Sequence, residues 1–82
     1  DPNDRPALPN SEVRRLKKLI SSNEKKIATL EGKIADAEAL LASADPTDFE
    51  RLMEIQAEIA PYKERRDALE NEWFDAAEAL GE

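Results

Sequence analysis

Side chains along this chain recur at alternating steps of three and four, and nearly all of the recurring positions are apolar. In the first half they are Val13, Leu16, Ile20, Asn23, Ile27, Leu30, Ile34, Ala37, Leu41 and Ala44. In the second half they are Leu52, Ile55, Ile59, Tyr62, Arg66, Leu69, Trp73, Ala76 and Leu80. This is the heptad spacing of a helix that buries one narrow stripe, called the seam below. The pattern therefore predicts two long amphipathic helices, each with one polar seam residue.

Capping residues set the expected ends of the two helices. Asn10 or Ser11 can cap the first, and Asp45 before Pro46 can cap the second, with proline at its first position. Gly81 is a plausible C-terminal stop. We expect helices over about 11–44 and about 46–80, within a hairpin domain spanning 10–82. A connection of only a few residues makes the helices antiparallel neighbours. The predicted fold class is all-α: a two-helix antiparallel coiled-coil hairpin with a short capped turn.

Prolines should interrupt regular helix at two places in the chain. Three of the first nine residues are proline, so 1–9 is expected to be a flexible linker. Pro61 lies inside the second helix, off the seam, and removes one backbone hydrogen bond. We expect a bend or a short irregular turn there.

The position of the turn predicts which residues face each other. A turn centred near Ala44 and Asp45 makes the numbers of facing residues add up to about 89. Asn23 then faces Arg66 in a single polar layer, and Leu16 faces Trp73. A turn three or four residues later would instead place Arg66 against Leu30, without a partner.

Composition excludes several kinds of chemistry. The 82 residues include no cysteine and no histidine, which excludes disulfides, Cys or His metal sites, and thiol or imidazole catalysis. Carboxylates are plentiful, but two solvated helices offer no cleft for a pair of catalytic acids. No apolar run approaches the roughly 20 residues of a membrane span. We expect a cytoplasmic protein with no catalytic residue and no metal site.

Basic residues form two clusters. The run Arg14, Arg15, Lys17 and Lys18 could grip phosphates, but the better interpretation is that it pairs with acids of the second helix. Residues 12–26 carry a net charge of +4, and residues 67–82, predicted to lie beside them, carry −6. The second cluster, a mid-hairpin patch, would consist of Lys25, Lys26, Lys63, Arg65 and Arg66. A solvated face that includes the Asn23–Arg66 layer is the simpler account of it.

Aromatic and apolar residues also permit two interpretations. Tyr62, Trp73 and Phe74 could stack on bases, but Tyr62 and Trp73 lie on the seam, where core packing is the better account. Apolar residues outside the seam could pack against a second hairpin. They are Leu19, Leu40, Met53 and Phe74.

Short stretches of the second helix are similar to a known family. They are Thr47-Asp48-Phe49-Glu50-Arg51-Leu52, Ala57-Glu58-Ile59, Leu69-Glu70 and Glu72-Trp73. Over about 10–82 the chain resembles the C-terminal coiled-coil domain of ABC-F ATP-binding cassette proteins, in a form seen in actinobacteria.

The resemblance implies a parent protein that is a soluble tandem ATPase, using ATP and Mg²⁺ and acting on ribosomes. It implies no cofactor in this fragment and a nucleic-acid-binding coiled coil with a short 3₁₀ turn near 44–49. The implied function is a non-catalytic appendage that contacts DNA or ribosomal RNA, without base reading. The candidate phosphate-binding residues are Arg14, Arg15, Lys17, Lys18, Lys25, Lys26, Lys63, Arg65 and Arg66. The alternative is a coiled coil for protein–protein interaction or dimerisation.

Overall fold

The computed structural model describes residues 8–81 and forms a hairpin of two helices. Helix α1 spans Asn10–Ser43 and helix α2 spans Phe49–Leu80. They lie side by side over their lengths, and the molecule measures 61 × 22 × 14 Å. The predicted antiparallel two-helix fold is confirmed. The linker predicted at 1–9 falls outside the described residues except for Leu8 and Pro9.

The core is a single layer between the helices. Every predicted seam residue is buried or half-buried, and Ala77, which lies outside the predicted seam, is buried as well. Ile55 and Leu69 are the most deeply buried, with 0% and 1% of their surfaces exposed. Ile34 packs with Ile55 and Ile59 in a cluster toward the turn. Because only one stripe of each helix is covered, most other side chains face solvent.

The turn is longer than predicted, and a different aspartate caps α2. The Asp48 side chain accepts a hydrogen bond from the Arg51 backbone N–H at 3.1 Å, which makes Asp48 the N-cap. Asp45 Oδ1 instead accepts bonds from the Thr47 N–H at 2.9 Å and from its hydroxyl at 2.7 Å. The prediction that Asp45 caps a helix starting at Pro46 is therefore wrong.

Hydrogen bonds to Asp45 stabilise this turn. The hydrogen bonds from the Thr47 backbone and side chain hold the pKa of Asp45 below its ordinary value. The turn closes through one backbone bond, from the Asp48 N–H to the Asp45 carbonyl at 3.1 Å. This bond joins residues three apart, the spacing of a 3₁₀ turn, and it lies within 44–49, where the resemblance implied such a turn.

The register differs from the prediction because the turn is longer. The Asn23 side chain donates to the backbone carbonyl of Leu69 at 3.1 Å, three residues beyond the predicted partner Arg66. The Trp73 indole N–H donates to Glu24 at 3.1 Å, so Trp73 does not lie opposite Leu16 as predicted. The predicted Asn23–Arg66 layer is wrong.

Arg66 is half-buried without a partner on α1. Its guanidinium bonds the carboxylate of the next residue, Asp67, at 3.1 Å, with 25% of its side chain exposed. The longer turn thus produces the arrangement in which Arg66 has no polar seam partner, and a neighbour on its own helix supplies the counter-charge.

Helix α2 contains a proline and ends at a glycine. The helix is continuous through Pro61, so the irregular turn expected there is absent. Pro61 and Ala57, whose carbonyl the missing N–H would have bonded, are both exposed, so solvent can satisfy that carbonyl. Gly81 ends α2 in the left-handed region at φ 80°, with its N–H bonding the Ala77 and Glu78 carbonyls. The predicted stop at Gly81 is confirmed.

Candidate functional surfaces

The four basic residues near the start of α1, Arg14, Arg15, Lys17 and Lys18, are all exposed. Arg15 bonds Glu12 on its own helix, Nε to Oε2 at 3.0 Å, and this bond lowers the pKa of the Glu12 carboxyl. The described ion pair of this run is thus within α1, and the charge pairing between 12–26 and 67–82 stays a prediction.

A surface groove of about 320 Å³ lies beside the seam at mid-hairpin. We call it the basic groove. It is lined by Lys25, Lys26, Thr29, Leu30, Arg65 and Leu69. Leu30 and Leu69 are seam residues and form the apolar floor. Lys25 and Lys26 from α1 and Arg65 from α2 are exposed around it, and every charged residue of the lining is basic.

Two members of the predicted mid-hairpin patch lie elsewhere. Lys63 Nζ pairs with Glu38 Oε1 across the helices at 3.3 Å. Since residues two apart on a helix differ in direction by about 200°, Lys63 lies on the opposite side of the seam from Arg65. Arg66 is half-buried and bonded to Asp67. The structure therefore brings together Lys25, Lys26 and Arg65 but not the whole predicted cluster.

Several basic residues of α1 share one side of the helix. Arg15, Lys26 and Lys33 recur at steps of eleven and seven, which keeps their directions within about 20° of each other. Lys33 was not among the predicted residues, although its spacing from Lys26 by one heptad was readable in the sequence. Its ammonium lies 5.5 Å from the centre of the Tyr62 ring, which is half-buried in the core cluster. Tyr62 is therefore a packing residue and is not available for base stacking.

A second groove, of about 370 Å³, lies on the other side of the seam. We call it the acidic–aromatic groove. It is lined by Glu24, Ile27, Ala28, Glu31, Glu70, Trp73 and Phe74. Glu24 and Lys26 are two residues apart, so they point about 200° away from each other and the two grooves occupy opposite flanks. Every charged residue of this lining is a carboxylate.

The aromatic pair of this groove is held in a defined geometry. The Trp73 indole is tied to α1 by its hydrogen bond to Glu24, and Phe74 packs edge-on against it with ring centres 5.2 Å apart. Phe74 is 62% exposed. The sequence placed Phe74 outside the seam but did not reveal this groove. The readable signal was the acid at Glu24 and Glu31, one heptad apart beside the seam residue Ile27.

Other kinds of site find no support in the described residues. Among residues 8–81 no group of three or more acidic side chains is placed to hold a metal ion. Neither described helix combines the length and the apolar character needed to cross a membrane.

These features define a coiled-coil helical-hairpin domain with two flanks of opposite charge. Residues 10–78 match the family model of the ABC transporter C-terminal domain, and the chain belongs to that family. It is thus a non-catalytic C-terminal domain of an ABC protein. No curated protein and no solved structure matches the chain significantly.

Proposed function

We propose that this domain is the C-terminal appendage of an ABC-F-type ATPase and contacts DNA or ribosomal RNA by neutralising phosphates. Membership of the family of ABC transporter C-terminal domains supports the proposal that the parent protein is an ABC ATPase. ATP and Mg²⁺ would bind the parent's ATPase domains, because the only glycines here, Gly32 and Gly81, are too far apart for a phosphate-binding loop. The parent would act in the cytoplasm, on the ribosome.

The observation that carries the proposal is the basic groove. Lys25, Lys26 and Arg65 converge from both helices on one apolar floor, and no described acid pairs with them in a salt bridge. Ammonium and guanidinium groups free of intramolecular partners can neutralise phosphates and release the counterions condensed on a nucleic acid. Such contacts position a backbone and carry no base sequence information.

The contact would extend from the groove along the same flank of α1. Arg15 lies about 16 Å along the helix from Lys26 and on the same side. Lys18, one turn after Arg15, lies between these two residues, and Lys33, one heptad after Lys26, extends the strip toward the turn. Arg14 and Lys17 would contribute to the field near the open end. Arg15 pairs with Glu12, Lys63 with Glu38 and Arg66 with Asp67, so these three would contribute less than Lys25, Lys26 and Arg65. The net charge of −7 predicts weak binding that moderate salt abolishes.

A titration of the 82-residue chain with duplex DNA and with structured RNA tests the proposal. We expect binding at low salt that weakens steeply as salt is added. Lys25→Gln with Arg65→Gln should reduce the slope of log K against log salt by about 2 for duplex DNA, since each phosphate contact contributes about 0.9. Fluorescence anisotropy of a labelled nucleic acid measures both quantities.

The matched control is Arg51→Gln with Lys63→Gln. This pair also removes one arginine and one lysine, but both residues lie outside the basic groove. We expect it to leave the salt slope nearly unchanged. The proposal is contradicted if neither nucleic acid binds at low salt, or if both double variants weaken binding equally.

A dimerisation coiled coil is the second candidate. The exposed apolar residues Phe49 and Met53, one turn apart at the start of α2, favour it, with 72% and 69% of their surfaces exposed. Phe74 lies about 31 Å further along α2 than Met53, so these residues do not form one continuous face. Sedimentation over a range of concentrations distinguishes the candidates, because a concentration-dependent dimer would support this one.

A further inference from the structure

The acidic–aromatic groove contains an exposed aromatic side chain, and carboxylates surround it. Phe74 is 62% exposed, and its ring packs edge-on against Trp73. The carboxylates of Glu31 and Glu70 line the same groove, and no described salt bridge neutralises either of them. An apolar surface rimmed by one sign of charge selects for an occupant with apolar side chains and the opposite charge.

The chemistry of the groove identifies a positively charged occupant. Phosphates would be repelled by Glu24, Glu31 and Glu70, so a nucleic acid does not fit this flank. Lysine and arginine side chains match the groove in two ways. Their charged groups can pair with the carboxylates, and a cation is also attracted to the face of the Phe74 ring. The indole N–H of Trp73 is already donated to Glu24 and offers nothing to an anion.

The size of the groove indicates a short helical segment. Glu24 and Glu31 are seven residues apart, a distance of about 10 Å or two helical turns. A helix lying in the groove would present residues at i, i+3, i+4 and i+7 over that distance. A volume of about 370 Å³ holds a few side chains. A second copy of this chain is disfavoured because each copy carries a net charge of −7.

We propose that the acidic–aromatic groove docks a basic amphipathic helix of a partner protein, with Phe74 as the apolar anchor and Glu31 and Glu70 as the charge-reading residues. The groove lies on the flank opposite the basic groove, so this proposal stands whether or not the domain binds nucleic acid. A domain built this way could hold a basic protein and a nucleic acid at the same time, one on each flank.

Trp73 provides the readout, because it is the single tryptophan of the chain and lines the groove. The probe is a designed amphipathic helix of leucine and lysine without tryptophan, titrated into the 82-residue chain at low salt. We expect a blue shift of the Trp73 emission and saturable binding. An otherwise identical peptide with glutamate in place of lysine should not bind.

Two matched pairs of variants separate docking from attraction to an acidic protein in general. Phe74→Ala should weaken binding about tenfold, because the bound peptide would cover this ring. Phe49→Ala, which removes an even more exposed phenylalanine at the start of α2, should not weaken it. Glu31→Gln with Glu70→Gln should weaken binding more than Glu50→Gln with Glu58→Gln, which removes two acids outside the groove.

Several outcomes would overturn the proposal. They are equal binding by Phe74→Ala and Phe49→Ala, equal effects of the two glutamate pairs, and binding of the acidic peptide. A blue shift that grows with protein concentration in the absence of peptide would show that a second copy fills the groove. Because Phe74 is exposed, Phe74→Ala should keep the helical circular dichroism of the parent chain, and the glutamate pairs provide an independent test.

Discussion

At the scale of single residues, Asn23 carries the most specific information in the seam. It is 3% exposed, and its side-chain nitrogen donates one hydrogen bond to the Leu69 carbonyl and one to Glu72, each at 3.1 Å. Both of its N–H donors are therefore used. Asn23 is the one buried polar residue among those described, and no buried side-chain nitrogen or oxygen there lacks a partner. A polar seam residue whose hydrogen bonds are all made favours one register, at a cost in stability relative to a well-packed apolar residue.

Replacing this residue tests the assignment. We expect Asn23→Ala to lower the free energy of unfolding by about 1–2 kcal/mol, through the lost hydrogen bonds and the space left in the seam. Urea denaturation measures the change. The control is Asn71→Ala, the same replacement at an exposed position of α2, which changes helix propensity equally but breaks no buried contact. Equal effects of the two substitutions would mean that Asn23 does not cross the seam.

At the scale of the elements, the start of α2 decides how the helices meet. Asp48 accepts the Arg51 N–H and so satisfies a backbone donor that the helix leaves free. We expect Asp48→Ala to cost about 1 kcal/mol of stability and Asp48→Ser to restore most of it, since serine is also a good N-cap. Thermal unfolding followed by circular dichroism measures both. A neutral Asp48→Ala together with a destabilising Asp45→Ala would support Asp45 as the cap instead.

The same aspartates show why sequence predicted the helices but not their register. The heptad seam is a repeated signal, so both helices and all of the core except Ala77 could be read from spacing. The cap is a local signal, and Asp45 and Asp48 each satisfy the N-cap preference. Thr47 settles the choice, because its N–H and hydroxyl both bond Asp45 and hold that residue in the turn. The helix therefore begins three residues after the predicted start, and the register moves with it.

At the scale of the whole molecule, two flanks of opposite charge define what the hairpin can bind. The sequence predicted the basic groove in part, because it brought Lys25 and Lys26 near Arg65 by pairing. It wrongly added Lys63, since closeness in sequence ignores the rotation of about 200° between residues two apart. The acidic–aromatic groove was missed because the predicted register placed Trp73 against Leu16, and only the observed register brings Trp73 and Phe74 beside Glu24 and Glu31.

The register of the two helices underlies both grooves, and nuclear Overhauser effects across the seam test it most directly. The Asn23 side-chain nitrogen lies 3.1 Å from the Leu69 carbonyl oxygen and 3.1 Å from Glu72 Oε2. The predicted, shorter turn would instead bring Arg66 to this level, about 4.5 Å along α2 from Leu69. We predict cross-peaks from the Asn23 side-chain amide protons to protons of Leu69 and Glu72; cross-peaks to Arg66 in place of those to Leu69 and Glu72 would contradict the register and both proposed surfaces.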